Sequence, residues 1–167
     1  MRDLHKLKTF AGEDVFHVVV ESPRGSVVKL KYSPALGAMS ISRPLALGVA
    51  YPFDWGFVPS TEGPDHDPID AAIWWDVATY PGVVIPCRAL AVVHLEQNSA
   101  DGPARIRNDR VLAVPVAARR ELPLASRVRQ EIEQFFIAAT ALEGKEPRIL
   151  GWGDADAALE LIRSSAT

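Results

Sequence analysis

An α+β fold is predicted by three features of this 167-residue sequence. Residues 15–114 break into short β-branched or alternating stretches separated by Pro, Gly and Ser turns. No helical periodicity intervenes between those stretches, and the chain changes to helical spacing only after residue 126. A run of strands followed by helices describes a sandwich or small barrel with helices packed outside it.

The elements follow in chain order. Val15–Glu21 is rich in β-branched residues and ends in the loop Ser22–Ser26. Val27–Tyr32 alternates apolar and charged positions, Ser33-Pro34 and Gly37 turn the chain, and Met39–Arg43 alternates again. Further strands are expected at Ala71–Trp75, Val83–Ile85, Ala89–Leu95 and Val111–Val116. In Ser126–Glu143, Val128, Ile132, Phe135, Phe136, Ala139 and Leu142 recur at helical spacing, with Gly144 as the stop. A second helix is expected from Asp154 as N-cap, burying Ala158, Leu159 and Ile162. With no internal repeat and no linker, residues 1–167 read as one domain.

Composition narrows the function classes. A formal net charge of −3 and a pI near 5.8 give no footprint for nucleic acid and none for an anionic membrane. An OB-type nucleic-acid binder would need a basic face with stacked aromatics, which the acidic pI opposes. The single Cys87 reads as a small core residue and suits a reducing compartment. The charged start Met1–Lys8 has no apolar h-region, and no apolar run approaches the roughly 18 residues that span a bilayer, so a cytoplasmic protein is expected.

The strongest chemical signal is Asp65-His-Asp-Pro-Ile-Asp70, three carboxylates within six residues. In an extended segment Asp65 and Asp67 share a face, and Pro68 disfavours helix at Asp67. Like charges so close repel, and a hard cation such as Mg²⁺ relieves this by taking oxygen ligands. The alternative is a solvated acidic turn. Nearby, Arg43 offers a planar fork suited to phosphate and Lys29 a point charge. Phe53 and Phe57 read as core, whereas the Tyr51 phenol needs a partner that a phosphate can supply.

An ordered series of short pieces carries a resemblance. It runs through Val20-Glu-Ser-Pro-Arg-Gly25, Lys29, Arg43, Tyr51-Pro52 with Gly56-Phe57, and the acidic segment. It continues with Pro81-Gly82, Cys87-Arg88, Leu112-Ala-Val-Pro115, Phe135-Phe136 with Leu142-Glu143, and Gly151-Trp152. From about Val18 to Trp152 the chain resembles family I inorganic pyrophosphatases. The resemblance implies a five-stranded OB-like β-barrel with two flanking C-terminal α-helices, a cytoplasmic homo-oligomer, and Mg²⁺ dependence with Mn²⁺ as the alternative ion. The partner it implies is diphosphate or another phosphate-bearing small molecule. By matching position, Asp65 and Asp70 hold metal, Glu21 supports a further metal, and Asp67 assists deprotonation of the attacking water. Lys29, Arg43 and Tyr51 bind phosphate.

The departures cluster in the same site. Where the family has a Glu, this chain has Lys31, and Trp55 replaces a Tyr. Gln97 and Asn108 fall at two metal-binding Asp positions, Arg110 at a Lys, and Ala139-Thr140 at a Tyr-Lys pair. Glu96, Asp101 and Asp109 neighbour the gaps as substitutes, although a one-residue shift on a strand reverses the face. Fewer anions imply fewer ions per site, and Lys31 and Arg105 are candidates to stand in for metal charge. Two readings follow: a Mg²⁺-dependent phosphoanhydride hydrolase, slow or shifted in substrate, and an inactive relative that binds a phosphate-bearing ligand or acts as a partner subunit.

Overall fold

A computed structural model of the chain describes residues 3–167, so the first two residues of the charged N-terminal segment lie outside it. After a 3-10 turn at Leu4–Lys6 come β1 (Phe16–Ser22), β2 (Val28–Ser33), β3 (Ala38–Pro44), β4 (Asp54–Phe57), β5 (Asp70–Ile73), β6 (Val84–Asn98), β7 (Arg105–Arg107) and β8 (Arg110–Pro115). Helix α1 (Ser126–Thr140), β9 (Arg148–Gly153) and α2 (Ala155–Ser165) complete the order.

Five strands close into a ring, which is the OB-like α+β architecture expected. β1 pairs with β4, β4 with β5, β8 with β6 and β6 with β1, all antiparallel, while β5 and β8 pair in parallel. β6 makes the closure possible. Its 15 residues pair first with β1, then with β8, β9 and β7, with register shifts at Ala89/Ala91 and His94/Leu95. Such shifts bend a strand and let it turn a corner. β2 and β3 form a separate two-stranded hairpin.

The ring strands bury both faces. Ala71, Ile73, Val111 and Ala113 join a core with Ala158 and Ile162 of α2, while Ala72 and Leu112 between them join one with Ile132, Phe135 and Phe136 of α1. This explains their nearly unbroken apolar runs. The Asp154 side chain caps α2 by accepting from the Ala157 backbone N–H at 2.9 Å, as its sequence position suggests. Cys87 lies in the α2-side core, where burial pushes its thiol up to about 12.

Several expectations change. Val83–Ile85 and Ala89–Leu95 are one strand, and β4, β7 and β9 are strands where none was expected. α1 ends at Thr140 rather than Glu143, which leaves Leu142 81% exposed instead of in the core. Leu159 is only half-buried, and Leu161 packs on the core beside Ile162. The acidic segment is not extended: His66 has φ +64°, and the Asp67 N–H donates to Asp65 Oδ1 at 3.2 Å, which makes it a tight turn.

β4 depends on one glycine. A Cβ at Gly56 would sit 1.8 Å from the Val19 carbonyl oxygen and 3.0 Å from Val20 Cα, so β1 and β4 pack backbone to backbone there. Gly56→Ala is expected to cost about 3 kcal/mol, read as a drop in the urea midpoint at unchanged slope. A midpoint within error of the parent would contradict the contact.

Candidate active site

Beside the hairpin the ring opens into a cavity of about 600 Å³. Alternation on β2 aims Lys29 and Lys31 at it, and Arg43 lies across the hairpin from Lys29. Glu21 reaches in from β1 and Trp55 from β4, with Tyr51 just before it. The acidic turn contributes Asp65 and Asp67, and β5 begins with Asp70. Gln97 near the end of β6, Asn108, Arg110 at the start of β8, and Ala139 and Thr140 at the end of α1 finish the wall. Every site position singled out from the sequence, retained or substituted, therefore lines this one cavity. The sequence reading gave no role to His5 or Lys145, which also line it. His5 sits edge-on to Tyr32 and Phe57, and neither residue carried a local motif.

The acids are crowded and partly dehydrated. Burial raises the Asp70 carboxyl despite Arg110, Lys29 and Lys31 nearby. Burial and then the neighbouring Asp70 raise Asp65. Glu21, 5% exposed, accepts the Tyr32 backbone N–H at 2.7 Å, and burial still pushes it to about 7. Tyr51 is pushed to about 12 by burial and stays a phenol at neutral pH.

The cations have definite partners. Lys31 Nζ lies 3.0 Å from Asp67 Oδ2; burial works against its charge, but this contact holds it above the ordinary lysine range. Arg43 Nη2 donates to the Ala139 carbonyl at 2.7 Å and Nη1 is 3.6 Å from Glu143. It thus completes the carbonyl end of α1, whose last turn has no basic residue of its own. Arg110 lies against both Trp55 and Phe136, its guanidinium 4.9 and 4.8 Å from their ring centroids. It is 7% exposed, and among the described residues its Nε has no hydrogen-bond partner.

The proposed replacement acids face elsewhere. Glu96 pairs with Arg105 at 3.4 Å and Arg148 at 3.3 Å. Asp109 is held by Arg107 at 2.7 Å, His94 at 2.9 Å and the Leu95 N–H at 3.1 Å. Asp101 is an exposed turn residue. Strand alternation sends Gln97 into the cavity and Glu96 away from it. Arg105 also points away, bound to Asn98 and the Glu146 carbonyl at 2.9 Å each, so of the two cations considered as stand-ins for metal charge only Lys31 lines the cavity.

What remains is balanced: Glu21, Asp65, Asp67, Asp70 and Glu143 face Lys29, Lys31, Arg43, Arg110 and Lys145. Among the described residues, no group of three or more His, Cys, Asp or Glu is gathered to hold a metal ion. Chemically, the cavity suits a polyanion with a few anionic oxygens of its own beside it.

Comparisons with known proteins agree on one family. The family model described as inorganic pyrophosphatase matches residues 18–167. The inorganic pyrophosphatase of Thermus thermophilus is 36% identical over 162 residues, covering 90% of this chain and 88% of the relative. That of Synechocystis is 32% identical over 166 residues, covering 96% and 95%. The crystal structure of the Thermus thermophilus enzyme superposes with a TM-score of 0.87 at 33% identity, covering 98% of this chain and 97% of that one. An inorganic pyrophosphatase structure from Coxiella burnetii gives 0.84 at 32% identity, covering 95% and 97%.

The raised Glu21 has a measurable consequence. From its ordinary value of 4.5 to about 7 the folded chain holds a proton that the unfolded chain releases. Stability therefore falls as pH rises through that window, by about 3 kcal/mol for this group alone. Asp65 and Asp70, also raised, act in the same direction. In metal-free buffer, Glu21→Gln is expected to flatten part of the decline in urea stability between about pH 5 and about pH 7.5. A decline of undiminished size would assign it to other groups.

Proposed function

This chain belongs to the inorganic pyrophosphatase family, and on that premise we propose that it hydrolyses diphosphate to phosphate at the cavity beside the hairpin, with Mg²⁺ as cofactor. The convergence of Asp65, Asp67 and Asp70 with Lys29, Arg43 and Tyr51 on one cavity carries the reading.

Mg²⁺ commonly takes one or two protein carboxylates plus substrate phosphate oxygens and keeps several waters. Asp65 and Asp70, near enough that the Asp70 charge helps raise the Asp65 carboxyl, fit one such ion. Glu21 is close enough to Asp70 to sense its charge and would support it. A fuller set of ions has no matching donors, because Gln97 and Asn108 offer only neutral carbonyls and Lys31 repels cations. We therefore assign fewer ions to this site than the family's usual complement. When bound, the ion supplies charge neutralisation and acidifies a water. Lys29, Arg43 and Arg110 draw the phosphate groups into place, and the protonated Tyr51 donates a hydrogen bond. Asp67 accepts the proton of the attacking water.

A second reading, binding without turnover, draws support from Lys31 Nζ lying 3.0 Å from Asp67 Oδ2 and so occupying one oxygen of the proton acceptor. We further assign the chain a cytoplasmic location, a single domain and a homo-oligomeric state. The exposed Val27, Leu36, Ile41 and Leu47 on and around the hairpin support self-association. Among the described residues, no helix is long and apolar enough to cross a membrane.

Phosphate release from diphosphate with Mg²⁺ or Mn²⁺ decides between turnover and mere binding. Asp67→Asn is expected to lower the rate by about 10²-fold or more while leaving the fold intact. A parent rate no higher than that of the variant would remove the hydrolase reading in favour of the binder.

A further inference from the structure

The cavity sets as many cations as acids around one space, and its cations reach it from both the hairpin and the ring. Lys31, Lys29 and Arg43 come from one hairpin, and Arg110 faces them from the ring. Arg110 is buried against Trp55 and Phe136 and, among the described residues, its Nε has no hydrogen-bond partner. Lys31 is different: its side chain is 45% exposed and, among the described residues, has Asp67 as its ion-pair partner. An ammonium has three donors, so that contact leaves two for a ligand. The acids meanwhile assemble no group of three metal donors among the described residues.

We infer that this cavity binds inorganic diphosphate without any divalent metal, with Lys31 standing where a cation would otherwise neutralise it. Mg²⁺ then joins the oxygens that the bound anion contributes. The inference rests on the diphosphate reading above and adds an order to it. The metal-free protein is an anion site, and the anion completes the metal site. By linkage, Mg²⁺ and the anion then raise each other's affinity by the same factor.

Calorimetry on the full chain tests this, with methylenediphosphonate as the probe because its bridging carbon resists hydrolysis. In metal-free buffer the probe is expected to bind saturably, and Mg²⁺ alone to give no saturable heat. Lys31→Met is expected to weaken metal-free binding about tenfold or more. Lys31→Glu should abolish it and bring saturable Mg²⁺ binding. Both variants change a half-exposed hairpin side chain, and unchanged thermal melting would establish that they fold. Probe binding only when Mg²⁺ is present overturns the inference and leaves the diphosphate reading standing. Unaltered metal-free affinity in folded Lys31→Met also overturns it. Absence of binding in every arm overturns both.

Discussion

A strand of 15 residues hydrogen-bonds in succession to β1, β8, β9 and β7, and the cavity exists because it can. Without closure of β6 onto β1, Glu21 on β1 and Gln97 on β6 would lie toward opposite ends of an open sheet. Closure needs bends, supplied by the two register shifts in β6, and it needs β1 and β4 to approach without side chains between them at Gly56. The last residues of β6 then carry Gln97 to the cavity wall. The site is thus a consequence of ring geometry, and its tolerance for substitution is a question about charge rather than backbone.

That charge is unusually self-contained. Desolvation disfavours each isolated ion here, which is why Asp70, Asp65 and Glu21 rise while Lys29 and Arg110 fall. A buried charge persists when an opposite charge answers it. In this cavity the answering groups are side chains in equal number, five acids to five bases. Arg110 shows how the protein makes such a charge tolerable: a guanidinium is weakly hydrated and stacks well, so Trp55 and Phe136 shelter it where an ammonium would fit poorly. Trp55 and Arg110 therefore act together as one cation–aromatic contact in the cavity wall.

Much of this was legible in the residues, and the failures have physical causes. β1, β2, β3 and β8 announced themselves through alternation or β-branching, and α2 through Asp154 and its apolar spacing. β4 and β9 contain Gly56, Gly151 and Gly153, which lower strand propensity; Gly56 serves close backbone approach to β1 and Gly153 close packing on the Val92 and Ala157 side chains, information that lies in the partner elements. β7 is three residues long, too short for any period. The acidic turn was misread as extended because nothing local demands a left-handed His66. The residues singled out through the spacing of motifs line one cavity; Gln97 came from counting along the strand from Leu95, and alternation argued against Glu96 as its substitute. His5 and Lys145 were invisible, since they reach the cavity from segments whose placement only tertiary packing decides.

The cavity has two unequal halves. Its acids sit on or beside the ring, whereas Lys29, Lys31 and Arg43 sit on a hairpin outside the ring's hydrogen bonding. Few polar ties join them: Glu21 to the Tyr32 N–H, Ser22 to the Leu30 N–H at 2.9 Å, Lys31 to Asp67, and Arg43 to the end of α1. Each tie ends on a cavity residue or beside one, so the contacts that position the hairpin are the ones a ligand would compete for or reinforce. An anion seated between Arg110 and the hairpin cations would draw the hairpin toward the ring through Arg110, while the ring's acids repel it until a cation shared with them offsets that repulsion. Ions held by the acids alone would neutralise one half and leave the hairpin's cations repelled. The electrostatics of this sequence accordingly favour a site assembled around its anionic ligand.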